Sequence, residues 1–498
     1  MRALATSVVI VVALGGCTLG PDYQRPEVPV PASFRFSDKD ARQIVDTRWW
    51  AQFGDPQLNG LITIALAENK DVKIAAARVD QYLGQFETTR ALLFPQIGAG
   101  VDAQRRRLPL GAAGRPEGVD TVFNGFSASL SASWELDVFG GLRRQTEAAR
   151  AALLATEEGR RATILTLVTS VASSYVNLLS LDRQLDIARA TTQSRAESVH
   201  VFELRFQYGE VSEMELAQSR SEYEASLATI PQLEMQIAQQ EDALSVLLGH
   251  NPAAIARGRG LDGLVLPVVP AGLPSELLVR RPDLRQAEQN LIAANALIGA
   301  ARALYFPSIS LTGLLGTASG QFSSLFTGPS KVWSYVGSAT VPIFTAGSIA
   351  GQVRQAEAQR QQALYQYEKA IQVAFQEVSD ALVSLQKTKE AQVVQGRQVD
   401  ALRTYAHMAR LRYEGGYTSY IEVLDSERSL FNAQLAYAQT QGYVFAAMVR
   451  VYKAMGGGWV EDAEQMSQLG MSGGEEAVVA PAADQGAAEA ASAAPASR

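Results

Sequence analysis

Of the usual metal-binding and redox side chains, the 498 residues supply one cysteine and three histidines. A single thiol excludes an intramolecular disulfide and a thiolate metal cluster. His200, His250 and His407 stand far apart without metal-ligand spacing. Neither a His-Glu-x-x-His box nor a Gly-x-Ser-x-Gly elbow occurs, so an enzyme finds little support. Basic blocks are missing too: 44 Lys and Arg face 51 Asp and Glu, spread evenly, which argues against a nucleic-acid partner. The one uncharged stretch long enough to span a bilayer as a helix is Ala162 to Leu181. There Thr163, Thr166, Ser170, Ser173, Asn177 and Ser180 lay a polar stripe opposite Ile164, Val168, Val171, Tyr175 and Leu178. This predicts a packed helix and not a span. With 47% apolar residues, the chain still has material for a large core.

What is present begins at the N-terminus. Arg2, an apolar run from Ala3 to Leu14, and Leu14-Gly15-Gly16-Cys17 read as a secretory signal over residues 1–16. A small-residue signal ending at a cysteine resembles the bacterial lipobox, which implies that Cys17 is acylated. The covalent lipid would be the only cofactor. Thr18, where Asp would retain a lipoprotein at the inner membrane, implies sorting to the outer membrane lipid. Residues 17–54 form an extended, proline-rich lead.

Strands are written by period two. Phe126, Ala128, Leu130, Ala132, Trp134, Leu136 and Val138 alternate with serines, Glu135 and Asp137, which predicts a strand over about 125–138. A weaker partner lies at about 96–107, and a second pair at about 308–317 and 332–343. Phe94, Trp134, Phe139, Phe306 and Phe344 sit near strand ends, as an interfacial belt would place them. Strand pattern alone equally allows a soluble antiparallel sheet on a core.

The pattern is duplicated. Arg90-Ala91-Leu92-Leu93-Phe94-Pro95 matches Arg302-Ala303-Leu304-Tyr305-Phe306-Pro307, and Leu204-Arg205-Phe206 matches Leu411-Arg412-Tyr413, an offset of 207 (411 − 204). Two repeats follow, 55–250 and 275–457, each a helix, two strands, a long helix and a return helix, with a Pro- and Gly-rich linker at 251–274. The long helices, about Leu142 to Gln207 and Ser348 to Glu414, would each reach about 100 Å. The second carries a 3, 4, 3, 4 seam at Val399, Leu402, Ala406, Ala409 and Tyr413. Turns at Gly209 and at Gly415-Gly416 reverse them, with Ser212 and Thr418 or Ser419 placed to cap the returns. Residues 458–498 read as a tail, disordered from about 472.

Four strands per chain cannot close, and an open sheet edge is not tolerated in lipid, so a barrel needs two, three or four copies. At this point Gly16-Cys17-Thr18-Leu19-Gly20-Pro21-Asp22-Tyr23, Trp49-Trp50 with Phe53-Gly54-Asp55-Pro56, Arg280-Arg281-Pro282-Asp283-Leu284-Arg285-Gln286-Ala287-Glu288, Phe306-Pro307-Ser308-Ile309 and Tyr452-Lys453-Ala454 carry a resemblance. The chain resembles the TolC-like outer-membrane factors, in their OprM/NodT-type lipoprotein branch. The resemblance implies an α+β membrane protein: a homotrimer with a transmembrane β-barrel of four strands per subunit, continuous with a long helical periplasmic tunnel. It also implies a periplasmic adaptor protein and an inner-membrane resistance-nodulation-division (RND) pump as partners, with this chain as passive exit duct.

The family closes its tunnel where the helices reverse, so the resemblance points to a periplasmic gate at Ile421, Glu422, Asp425 and Arg428. Three copies of Asp425, with Glu422, would ring the aperture while Arg428 pairs with a carboxylate and Ile421 forms an apolar collar. Tyr413 matches a position near the latch between helix pairs. Thr418 stands where TolC has an arginine, so that latch bond is not carried over. The plain alternative for Asp425 and Arg428 is a solvated i, i+3 ion pair worth about 0.3 kcal/mol. A type I secretion channel and a lipid-anchored coiled-coil scaffold are the competing functions. Few histidines and unclustered methionines weigh against a dedicated metal exporter.

Overall fold

A computed structural model describes residues 18–36, 48–107, 122–269, 274–456 and 459–475. The signal, Cys17 and the end of the tail lie outside them. The helices are α1 Pro56–Glu68, α2 Lys70–Ala91, α3 Gly141–Gln207, α4 Glu213–Leu247, α5 Pro274–Arg280, α6 Pro282–Ala303, α7 Ser348–Glu414, α8 Tyr420–Met455 and α9 Trp459–Glu475. The strands are β1 Gln96–Arg107, β2 Val122–Leu136, β3 Ser308–Ser319 and β4 Lys331–Thr340. Contacts divide the chain into two units. The first takes in the lead up to Val30, Ala75–Arg160 and Pro282–Val373; the second Pro31–Ile74, Arg161–Arg281 and the chain from Ala374.

The first unit is built on one antiparallel sheet in the order β1-β2-β3-β4. Register decides its chemistry. Ala99 faces Leu130, Leu130 faces Leu315, and Leu315 faces Trp333. Directly opposed residues share a face, so the odd positions of β1, β3 and β4 and the even ones of β2 merge into one apolar face. Serines 127, 129, 131, 133, 310, 334 and 338 fall on the other. The apolar face lies open to its surroundings: Val101 and Tyr335 are each 80% exposed, Ile97 78% and Trp333 67%. A soluble monomer rarely leaves so large an apolar surface uncovered.

Strand β2 stops at Leu136, although its alternation continues to Val138. Asp137 is taken by the next element, accepting from the backbone amides of Leu142 and Arg143, both at 2.9 Å, at the start of α3. Strand β4 ends at Thr340, just before Pro342, which has no amide to offer a ladder.

The lead is strapped to this unit. Leu19 N donates to Phe139 O at 3.4 Å, Arg144 reaches Leu19 O and the Asp22 carboxylate, and Asn295 donates to Pro21 O. Tyr23 and Arg25 both bond Glu288, and burial with that carboxylate pushes the Tyr23 hydroxyl pKa up. Gly20 has φ of +96°, and a Cβ there would meet Gly299 Cα at 2.5 Å, so only glycine fits.

The second unit holds the main core. Ile164, Val168, Val171, Tyr175 and Leu178 are all 0% exposed, so the apolar stretch of α3 is packed against protein. Ser180, expected on the polar stripe, is buried as well, and its hydroxyl donates to Ala438 O at 3.2 Å beside Gly442. Trp49 stacks on Tyr452 at 5.1 Å and meets Trp459 edge-on at 6.0 Å. Asp55, fully buried, caps α1 through Gln57 N and accepts from the Tyr175 hydroxyl at 2.8 Å. Arg281 donates to Ala454 O and pairs with Glu377. Helix α9 occupies residues read from sequence as tail: Trp459, Val460 and Ala463 are buried against the core, and its acidic first turn hides that apolar side in composition.

Candidate functional site

The site is the pair of helix reversals in the second unit. Helix α3 ends in a turn where Glu210 N donates to Arg205 O at 2.8 Å and Gly209 N to Phe206 O at 3.0 Å. At the end of α7, Tyr417 N donates to Arg412 O at 2.8 Å and Gly416 N to Tyr413 O at 2.9 Å. Each turn needs a left-handed residue, supplied by Gly209 at φ +72° and Gly416 at φ +76°. Gly415 has a different task. A Cβ there would come within 2.8 Å of the Tyr417 ring.

An aromatic cluster joins the two reversals. Phe202 lies 4.2 Å from Tyr420 and 6.2 Å from Tyr413 between ring centroids, and Tyr413 lies 5.2 Å from Tyr420. Leu216, Ala409, Val423 and Leu424 complete it. Burial raises the pKa of Tyr413, with Glu215 adding to the effect. Tyr413, expected near a latch, packs between α3, α7 and α8 and also hydrogen-bonds the Arg205 side chain of α3.

The structure brings Asp425 and Arg428 together: Arg428 Nη2 donates to Asp425 Oδ1 at 3.1 Å, both about half exposed. Ile421 is 56% exposed one turn earlier. Glu422 is not brought to them. Its carboxylate accepts from the Thr418 hydroxyl and lies 3.4 Å from Arg412, so it serves the hairpin turn.

Sequence reasoning passed over the charges behind this pair. Arg195 on α3 is 6% exposed; it donates to Glu222 O at 2.7 Å, approaches the Glu222 carboxylate at 3.2 Å and lies 5.3 Å over the Phe431 ring. Burial lowers its pKa and Glu222 opposes the shift. Arg428 Nη1 reaches the same Glu222 at 3.8 Å. Arg410 pairs with Glu427 at 2.6 Å. An arginine on a buried helix flank interrupts the apolar pattern instead of extending it. The one available signal was Arg195 recurring seven residues after Ala188 on the buried side of α3.

An exposed apolar sheet face and paired helices of 67 residues ending in charged, glycine-hinged turns are the parts of a membrane channel, and comparison with known proteins agrees. The family profile described as "Outer membrane efflux protein" matches residues 61–250 and 273–457, and the chain belongs to that family. It is 37% identical over 475 residues to the probable efflux pump outer membrane protein TtgC of Pseudomonas putida KT2440, covering 94% of this chain and 98% of that protein. It is 37% identical over 467 residues to the probable outer membrane lipoprotein SilC of Salmonella typhimurium, covering 93% and 99%. The crystal structure of the open state of the Neisseria gonorrhoeae MtrE outer membrane channel superimposes with a TM-score of 0.80 at 32% identity, covering 89% and 99%. The protein is an efflux channel component of the outer membrane.

Proposed function

We propose that three copies of this chain close their sheets into one twelve-stranded barrel, forming the passive outer-membrane duct of a tripartite pump. The observation that carries this reading is the register. It merges four strands from two distant chain segments into a single exposed apolar face backed by a serine-rich one, the lipid and lumen faces of a barrel wall. Among the described strands both edges, β1 and β4, lack a further partner, and lipid tolerates neither. Closure between copies satisfies both at once.

The strap on Leu19 and Gly20 holds the residues next to Cys17 beside Phe139 at the foot of β2. A lipid on Cys17 would enter the membrane at the barrel's inner rim. The duct's energy comes from an inner-membrane RND transporter joined through a periplasmic adaptor, and the tips gate it: Asp425 and Arg428 of three subunits hold the aperture narrow.

The test is outer-membrane fractionation with heat-modifiable migration of the oligomer. A monomer released without detergent sinks the reading. In cells, deleting the chain and deleting its pump should sensitise to the same compounds. Different spectra would sever the duct from that pump.

A further inference from the structure

Among the described strand residues every charge on the apolar face is positive, and two of the three lie together at one end. Arg105 and Arg107 close β1, and Lys331 opens β4. By register Arg105 stands opposite Asn124 and Arg107 opposite Val122, while Lys331 stands opposite Thr317, in the row of Ala128 and Val101 and so apart from the arginine pair. Asp102 and Glu135 fall on the serine-rich face, so among the described strand residues the apolar face holds no carboxylate. All three cations are exposed, and no described residue forms an ion pair with them. Arg106, between the two arginines, points to the other face, where its guanidinium sits 5.1 Å from the Phe123 ring.

Two like charges held two residues apart on one strand, about 7 Å from each other, repel unless an anion sits between them. Height identifies the anion. At roughly 3.3 Å per residue and a tilt of about 40°, Arg105 and Arg107 rise about 20 and 25 Å above Ile97, where a hydrocarbon band about 25 Å tall gives way to headgroups. The opposite end of the sheet runs into the helices, so this is the outer-leaflet side. Guanidinium forks match phosphate oxygens bidentately.

We propose that Arg105 and Arg107 form a binding site for the phosphates of a phosphorylated lipid in the outer leaflet. The inference rests on the barrel reading, since only a membrane-seated sheet brings headgroups to this height.

The test uses the full-length oligomer and phosphatidylcholine vesicles with or without lipid A, reading lipid phosphate retained on the repurified protein. Wild type should retain lipid A, and Arg105→Ala with Arg107→Ala should weaken retention about 25-fold, roughly fivefold for each cation removed from an anionic surface. Arg105→Lys with Arg107→Lys should keep most of it, and Arg106→Ala should behave as wild type. Equal retention by the double alanine variant, or equal loss in Arg106→Ala, overturns the proposal. So does full competition by inorganic phosphate, which would mark a free-anion site. A heat-modifiable wild-type oligomer that retains no lipid A ends this inference and leaves the barrel standing. If no heat-modifiable oligomer forms, both fall.

Discussion

The two helix reversals share a backbone frame and differ in what their carboxylates hold. Their turn hydrogen bonds fall at positions 207 apart, Arg205 with Arg412 and Phe206 with Tyr413. In the first, Glu215 reaches back to Ser212 N at 2.9 Å while Ser212 Oγ accepts from Glu215 N, a closed capping box. In the second, Ser419 makes no side-chain cap, and the Glu422 carboxylate is held instead by Thr418 and Arg412. The residue corresponding to Thr418 is Val211, which packs into the aromatic cluster and offers no hydroxyl. One substitution therefore separates a self-contained turn from one whose acid is tied to its neighbours. Ile421, Asp425 and Arg428 correspond to Met214, Gln218 and Ser221. Only the second reversal carries the charged pair.

The largest expected difference lies at Arg195, whose counterpart 207 positions on is Leu402. Arg195→Ala leaves Glu222, whose side chain is only 19% exposed, without its main cation, at a cost of about 3 kcal/mol. Hydrogen exchange of the first hairpin should rise about a hundredfold, with the second hairpin's α7 little changed. Unchanged exchange would make Arg195 a passenger. Next comes the gate itself: Asp425→Ala with Arg428→Ala should raise single-channel conductance several-fold, whereas Gln218→Ala with Ser221→Ala should not. If both pairs of changes act alike, the charged tip is an ordinary solvated ion pair. Smaller again is the cap. Ser212→Ala should destabilise the first return helix by about 1 kcal/mol and Ser419→Ala by close to nothing, unless Thr418→Val first frees Glu422 to close a box there.

Some of this was legible in the residues and some was not. Period two in β2 and the glycines of both turns state local geometry directly, because each depends on neighbours within a few positions. The pairing of β2 with β3 does not, since it joins Leu130 to Leu315 across half the chain, and only register reveals that all four strands share one face. Glu422 was placed with Asp425 by closeness in sequence, but it lies one residue round the helix from Ile421, turned toward α7. The Arg195–Glu222 contact escaped because it joins two helices through side chains that no repeat marks. Helix α9 escaped because its buried side is short and its first turn acidic.

The smallest effect separates two meanings of the comparison. Glu203 pairs with Arg220 at 2.7 Å in the first hairpin, and Arg410 with Glu427 at 2.6 Å in the second. These are the same positions with the signs reversed (410 − 203 = 207; 427 − 220 = 207). Each pair is partly exposed and worth under about 1 kcal/mol, so exchanging both signs, Arg410→Glu with Glu427→Arg, should leave the subunit's own stability within about 0.5 kcal/mol. In an assembled tube where first and second hairpins follow one another in the same sense, however, Arg220 would meet Arg410 and Glu427 would meet Glu203 across the seams, and the exchange turns each into an opposite-charge pair. The oligomer should then dissociate at a higher detergent concentration in dilute salt and lose that added resistance as salt screens the attraction. Identical dissociation at all salt concentrations would mean that the reversal does nothing between hairpins, and that the two tips differ only at Thr418 and the charged pair beyond it.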